Sequence, residues 1–142
     1  MGKVRDILQT KGGAVFSVEP VMMVYNAIEQ MCERNIGALL IVEHGKLVGI
    51  FTERDYARKL ILLGESSKGT PISELMTPNP FTVTTHTTID ECMKIMSQKR
   101  IRHLPVVEDE KVVGVISIGD VVKQIIEDQK DIIEQLEHYI TS

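Results

Sequence analysis

The 142-residue chain contains no tryptophan, and only 4% of its residues are aromatic. It therefore lacks an obvious stacking platform for single-stranded nucleic acid. Positive charge is also scarce: 16 Lys and Arg stand against 20 Asp and Glu, a formal charge of -4. A broad basic face is not expected, and nucleic acid is not an expected partner. The longest apolar run, residues 37–42, is far too short to span a bilayer. The start, Met1-Gly2-Lys3-Val4-Arg5-Asp6, has no apolar signal segment, and Asp6 stands where a myristoylation motif wants Ser or Thr. These absences predict a soluble, cytoplasmic protein. Cys32 and Cys92 lie in helical patterns without CxxC spacing, so they read as small core residues rather than redox or metal groups. There is no Walker loop, GxSxG elbow or HExxH, and His44, His86 and His138 lack metal spacing. No catalytic residue, metal site or catalytic cofactor is expected, and the chain does not read as an enzyme.

What is present is a repeat. Gly49-Ile50-Phe51-Thr52-Glu53-Arg54-Asp55 returns as Gly114-Val115-Ile116-Ser117-Ile118-Gly119-Asp120. Residues 16–59 slide onto 81–124 without a gap, bringing Phe16 onto Phe81, Met31 onto Met96, Leu39 onto Leu104 and Gly49 onto Gly114. Such a register over this length signals a duplicated structural unit.

Each copy predicts a strand, a helix, two strands and a second helix. Val4, Ile7 and Leu8 predict a short opening helix, stopped by Gly12-Gly13. Val15–Val18 predicts a strand closed by Pro20, and Val24, Ala27, Ile28 and Met31 a helix broken at Gly37. The continuous apolar run Ala38–Val42 reads as a strand buried on both faces, turning through His44-Gly45 into its partner, Leu47–Thr52. A helix follows Asp55 through Leu63, and the polar stretch 64–70 reads as the linker. The second copy repeats this: a short helix at Ile72–Met76, a strand at Phe81–Val83, a helix face at Ile89, Cys92, Met93 and Met96, then strands at His103–Val107 and Val112–Ser117.

The expected fold is α/β: two β-α-β-β-α repeats related by a pseudo-twofold and packed through their sheets. The expected boundaries are 8–65 and 73–131, with a helical extension over 132–142, all within one module spanning 1–142. The stripe from Val122 to Ile140 either covers the chain's own sheet or forms a self-association surface.

Thr52-x-x-Asp55 and Ser117-x-x-Asp120 have two readings. Ser or Thr followed by an acid three residues later is a helix N-cap pattern, with the acid at the positive end of the helix. Capping boxes favour the longer Glu or Gln, yet both copies carry Asp. A carboxylate at a strand-to-helix junction can also accept from both hydroxyls of a ribose.

These features, with Arg100-Ile101-Arg102-His103-Leu104-Pro105-Val106-Val107 and the lead-ins Val4–Leu8 and Ile72–Thr77, resemble a tandem CBS-domain protein: a CBS pair, or Bateman module, of the stand-alone bacterial type. The resemblance covers essentially the whole chain. It implies an adenosine-bearing ligand (AMP, ADP, ATP, S-adenosylmethionine or NAD) in clefts between the repeats. It also implies ribose contacts from Thr52 with Asp55 and from Ser117 with Asp120, and phosphate contacts from Arg102 and His103. Backbone contacts to adenine would come from Val18, Glu19, Pro20, Val83 and Thr84. Repeat one has Gly37-Ala38 where repeat two has Arg102-His103, so the two sites should differ. Phosphate needs positive charge or free N–H donors. Arg54, which stands where repeat two has Gly119, could reach a phosphate or remain solvated. Arg102 and His103 could likewise be a surface basic pair. The resemblance implies a homodimer, and with no effector domain in the sequence the expected output acts in trans on an unidentified effector protein. The competing reading is a homodimeric scaffold with vestigial nucleotide sites.

Overall fold

The computed structural model describes residues 2–62, 64 and 66–141. Leu63 and Glu65, read above as a helix end and part of the linker, lie outside the described residues, as do Met1 and Ser142. The chain divides into two compact units: the one built on the second repeat takes its lead-in helix from the start of the chain, while the one built on the first repeat takes its own from the segment directly after that repeat.

The unit containing Thr52 comprises Val15–Phe81 and Asp109–Val112. Its elements are β1 (Ser17–Val18), α2 (Val24–Arg34), β2 (Ala38–Glu43), β3 (Lys46–Thr52), α3 (Glu53–Asp55), α4 (Ile72–Leu75) and β4 (Thr77–Pro78). After α3 the chain continues as a π-helical turn, Tyr56–Leu60. The sheet order is β1-β2-β3-β4, with β1 parallel to β2 and the other neighbours antiparallel. β2 is internal, so Leu39, Leu40 and Ile41 are all buried, as a continuous apolar strand requires. Val24, Ala27 and Met31 of α2 close over Leu39, Ile41 and Phe51, and Ile72 and Leu75 of α4 complete that core. Helix α2 stops at Asn35, in the left-handed region at φ 52°, two residues before the break expected at Gly37. Asn tolerates that conformation better than most residues. Met23 cannot cap α2, and the linker does so instead: Val24 N–H donates to Thr70 O at 2.9 Å and Tyr25 N–H to Ser67 O at 2.8 Å.

The unit containing Ser117 comprises Met1–Ala14, Thr82–Glu108 and Val113–Ser142. It holds α1 (Val4–Lys11), α5 (Ile89–Lys99) and α6 (Ile118–Thr141), with β5 (His103–Glu108) and, from Val113 on, its hydrogen-bonded partner β6 (Lys111–Ser117). Val4 and Ile7 of α1 are buried among Val83, Ile89, Cys92, Met96 and Leu104. The strand expected at Phe81–Val83 shrinks to one parallel bridge, Val83 to Val106. The chain then turns at once: Thr84 N–H donates to Thr87 Oγ1 at 3.0 Å and Thr85 N–H to Glu108 Oε1 at 2.8 Å. Helix α5 is capped by Thr88, whose Oγ1 accepts from Glu91 N–H at 3.1 Å.

Candidate functional site

Both Ser/Thr-x-x-Asp motifs close capping boxes. In the first, Asp55 N–H donates to Thr52 Oγ1 at 3.2 Å, and Thr52 N–H donates back to Asp55 Oδ2 at 2.9 Å. In the second, Asp120 N–H donates to Ser117 Oγ at 3.1 Å, and Ser117 N–H to Asp120 Oδ2 at 2.8 Å. Aspartate therefore reaches the N-cap amide despite its short side chain, so the lengths expected from the sequence do not count against capping. Each helix start is also tied to the strand before the motif: Glu53 N–H donates to Gly37 O at 3.2 Å, and Ile118 N–H to Arg102 O at 2.8 Å. That bond sets Arg102 beside the second motif and Gly37 beside the first.

The surroundings of the two carboxylates differ. Asp55 Oδ1 pairs with Lys59 Nζ at 3.3 Å, one helical turn on, and accepts from Thr77 Oγ1 at 3.3 Å. Lys59 also donates to Leu75 O at 3.1 Å. Asp120 Oδ2 meets Lys11 Nζ at 2.6 Å, and Lys11 donates to Val115 O at 2.9 Å. Burial alone would raise the Asp120 carboxyl, but the bond from Lys11, the Ser117 amide, the Lys11 charge and the Ser117 hydroxyl together hold it below its usual value. The Asp55 side chain is 13% exposed and that of Asp120 24%, so both retain a solvent-facing edge.

Lys11, Lys59 and Thr77 were not among the candidate residues. Lys59 carries a local signal, four residues after Asp55 on one helix. Lys11 is 109 residues from Asp120, and nothing local announces it.

The remaining candidates are placed as follows. Val18 is buried at the head of an open groove of about 490 Å³ lined by Glu19, Met22, Met23, Asn26 and Gln30. Pro20 O accepts from Ser73 N–H at 3.1 Å. Val83 spends its N–H on Pro105 O at 3.0 Å, and its O accepts from Val107 N–H at 2.9 Å. Its backbone is thus engaged in the fold, and Thr84 N–H is held within its own turn. Arg54 and Arg102 are exposed, and His103 is half-buried at the start of β5. Gly37 borders a separate hollow of about 510 Å³ with Met31, Cys32 and Glu53. Among the described residues no group of three or more His, Cys, Asp and Glu side chains could hold a metal ion. Nor is any helix there long and apolar enough to cross a membrane.

Duplicated α/β units, each with a hydroxyl-x-x-aspartate box at a helix start, define the class. The CBS-domain family profile matches residues 4–62 and 72–127, and the chain belongs to that family. A mitochondrial CBS domain-containing protein of Arabidopsis thaliana, CBSX3, is 38% identical over 146 residues, covering 96% of this chain and 71% of its own length. A solved structure with CBS domains from Burkholderia ambifaria MC40-6 is 45% identical, with a TM-score of 0.85, covering 89% of this chain and 96% of that one. The CBS domain pair of protein MJ0100, solved with 5′-methylthioadenosine and S-adenosyl-L-methionine, is 30% identical with a TM-score of 0.80. It covers 90% of this chain and 98% of that one.

Proposed function

We propose that this CBS pair is a non-enzymatic regulatory sensor that binds an adenosine-containing ligand through its ribose and signals in trans to a partner protein. The observation that carries the proposal is the second motif. There a partly exposed, ionised Asp120 is fixed by Ser117 and neutralised by Lys11, with Arg102 joined to the same helix start. A carboxylate held this way can accept from vicinal hydroxyls, while Arg102, the neighbouring cation not spent on Asp120, would favour a phosphate or another anionic group. The related MJ0100 pair was solved with two adenosine-bearing molecules, which supports the ligand class. Within that class AMP, ADP, ATP and NAD are the candidates for this chain. Thr52, Asp55 and Arg54 would serve a second site, with Gly37 in place of a cation; Val18, Pro20, Val83 and Thr84 would border the bases. A cytoplasmic setting belongs to the same proposal.

Binding shifts a regulatory equilibrium only through unequal affinity for its two states, so the sensor must exist in at least two arrangements that a partner distinguishes. The test is a thermal-shift screen of nucleotide-stripped protein with AMP, ADP, ATP, NAD and S-adenosylmethionine. A ligand at about 100 times its Kd adds roughly 2.7 kcal/mol, a rise of several degrees. Asp120→Asn should abolish most of that rise while leaving the ligand-free protein folded. No rise with any ligand would overturn the proposal in favour of the scaffold reading, which the exposed apolar end of α6 independently favours.

A further inference from the structure

Helix α6 outruns the unit that carries it. Val121 is fully buried and Ile125 packs on the core, yet every described residue from Gln129 to Thr141 is exposed. This end is not built for solvent. Ile132, Ile133 and Leu136 are 50%, 54% and 57% exposed, and Tyr139 and Ile140 are 82% and 80%. A helical segment of about 13 residues is marginal alone in water and needs tertiary or quaternary packing to persist. A contiguous apolar patch above a few hundred Å² marks an interaction surface.

The stripe also has a direction. Val122, Ile126, Ile133 and Ile140 form a row roughly a quarter turn around the helix from Val121 and Ile125, at 100° per residue. With Gln129 and Leu136 they occupy the a and d positions of successive heptads, and Ile132 and Tyr139 widen one flank. The other flank carries Lys130 and Glu137, while Glu127, Asp131 and Glu134 lie farther round toward solvent.

That asymmetry selects the occupant. We infer that the end of α6 pairs with the same segment of a second copy, antiparallel, about a twofold axis. In this register Ile133 packs against Leu136 of the partner subunit, and Gln129 against Ile140 of the partner subunit. Lys130 then lies beside Glu137 of the partner subunit, and the twofold supplies the same ion pair again. A parallel pair would instead set each charged flank against the apolar flank and leave both charges without a partner. The antiparallel register uses the turns from Gln129 onward, all of them exposed, although Gln129 and Ile132 at their start also border a small hollow with Gly2 and Ile89.

The contact is self-complementary, so its test needs no unknown partner. Light scattering of the full chain across a dilution series should show an association step that Leu136→Glu removes, halving the mass. Leu136 is exposed, so the variant should keep its fold, checked by circular dichroism. Lys130→Glu alone should weaken the step at least tenfold, and Lys130→Glu with Glu137→Lys should restore it. An unchanged mass in Leu136→Glu would overturn the inference, and failure of the double swap to restore association would overturn the antiparallel register. Neither result bears on ligand binding, which the thermal-shift screen reads separately.

Discussion

Leu8 lies against Gly114 so closely that a Cβ at Gly114 would stand 2.7 Å from Leu8 Cδ2. The other unit repeats the arrangement: a Cβ at Gly49 would stand 2.9 Å from Met76 Cγ and 3.1 Å from Thr77 O. The duplicated glycine of the motif is therefore a seat for the lead-in helix. α1 and α4, in turn, deliver Lys11 and Thr77 to the two aspartates.

Gly114→Ala should overpack that seat and destabilise the protein by about 1 kcal/mol, the low end of an overpacking cost because the obstructing atoms are the free end of the Leu8 side chain, read by urea unfolding. Gly114→Ala with Leu8→Ala should be less destabilised than the two single effects predict, because the smaller side chain relieves the clash. Strict additivity would show that Leu8 is not the obstructing group.

The Lys11–Asp120 pair makes stability depend on pH with a definite sign. The Asp120 carboxyl is lowered in the folded state, so the stabilisation is fully present above the unfolded value of about 3.9 and is lost as pH falls through the folded value. Wild type should therefore exceed Lys11→Met in stability at neutral pH, by about 1 kcal/mol or less because the pair is partly exposed. The gap should close in acid. A carbon-detected NMR titration should show the Asp120 carboxyl moving up in Lys11→Met. A gap constant from neutral pH into acid would mean that Lys11 acts through packing alone.

The two cysteines should react very differently. Cys32, expected in the core, is exposed, whereas Cys92 is fully buried as expected, and burial, with a lesser contribution from the Glu91 charge, pushes its thiol up to about 11. A thiol reagent at mildly alkaline pH should modify one cysteine per folded chain quickly and the second only after denaturant is added. Rapid reaction of both would place Cys92 outside the core.

Arg102 should discriminate phosphate from nucleoside. Removing a charge-assisted bond to phosphate costs about 1.5–3 kcal/mol, so Arg102→Ala should weaken AMP about tenfold or more by calorimetry. Binding of adenosine should be nearly unchanged. Equal loss for both would assign Arg102 a structural role.

The duplicated pattern made much of this molecule legible. The apolar run Ala38–Val42 read as a strand buried on both faces and forms one, and the period of Val24, Ala27 and Met31 read as a helix with one apolar face and forms one. Thr52-x-x-Asp55 and Ser117-x-x-Asp120 marked helix starts correctly, because capping is a contact between residues three apart. Where the sequence misled, distant groups had intervened. The strand at Phe81–Val83 contracts to one bridge, and the chain turns directly after it, where Glu108, 23 residues away in sequence, takes the amide of Thr85.

The sequence by itself determined the duplication, the main helices and paired strands, the capped helix starts and the apolar stripe of α6. These depend on periodicity and on contacts within about one helical turn. Tertiary structure alone decided that α1 joins the unit of the second repeat, that Leu8 rests on Gly114, and that Lys11 meets Asp120. It also left the end of α6 without cover. No local rule carries a contact across 109 residues; only the burial of α1 against the second repeat brings that lysine to that carboxylate.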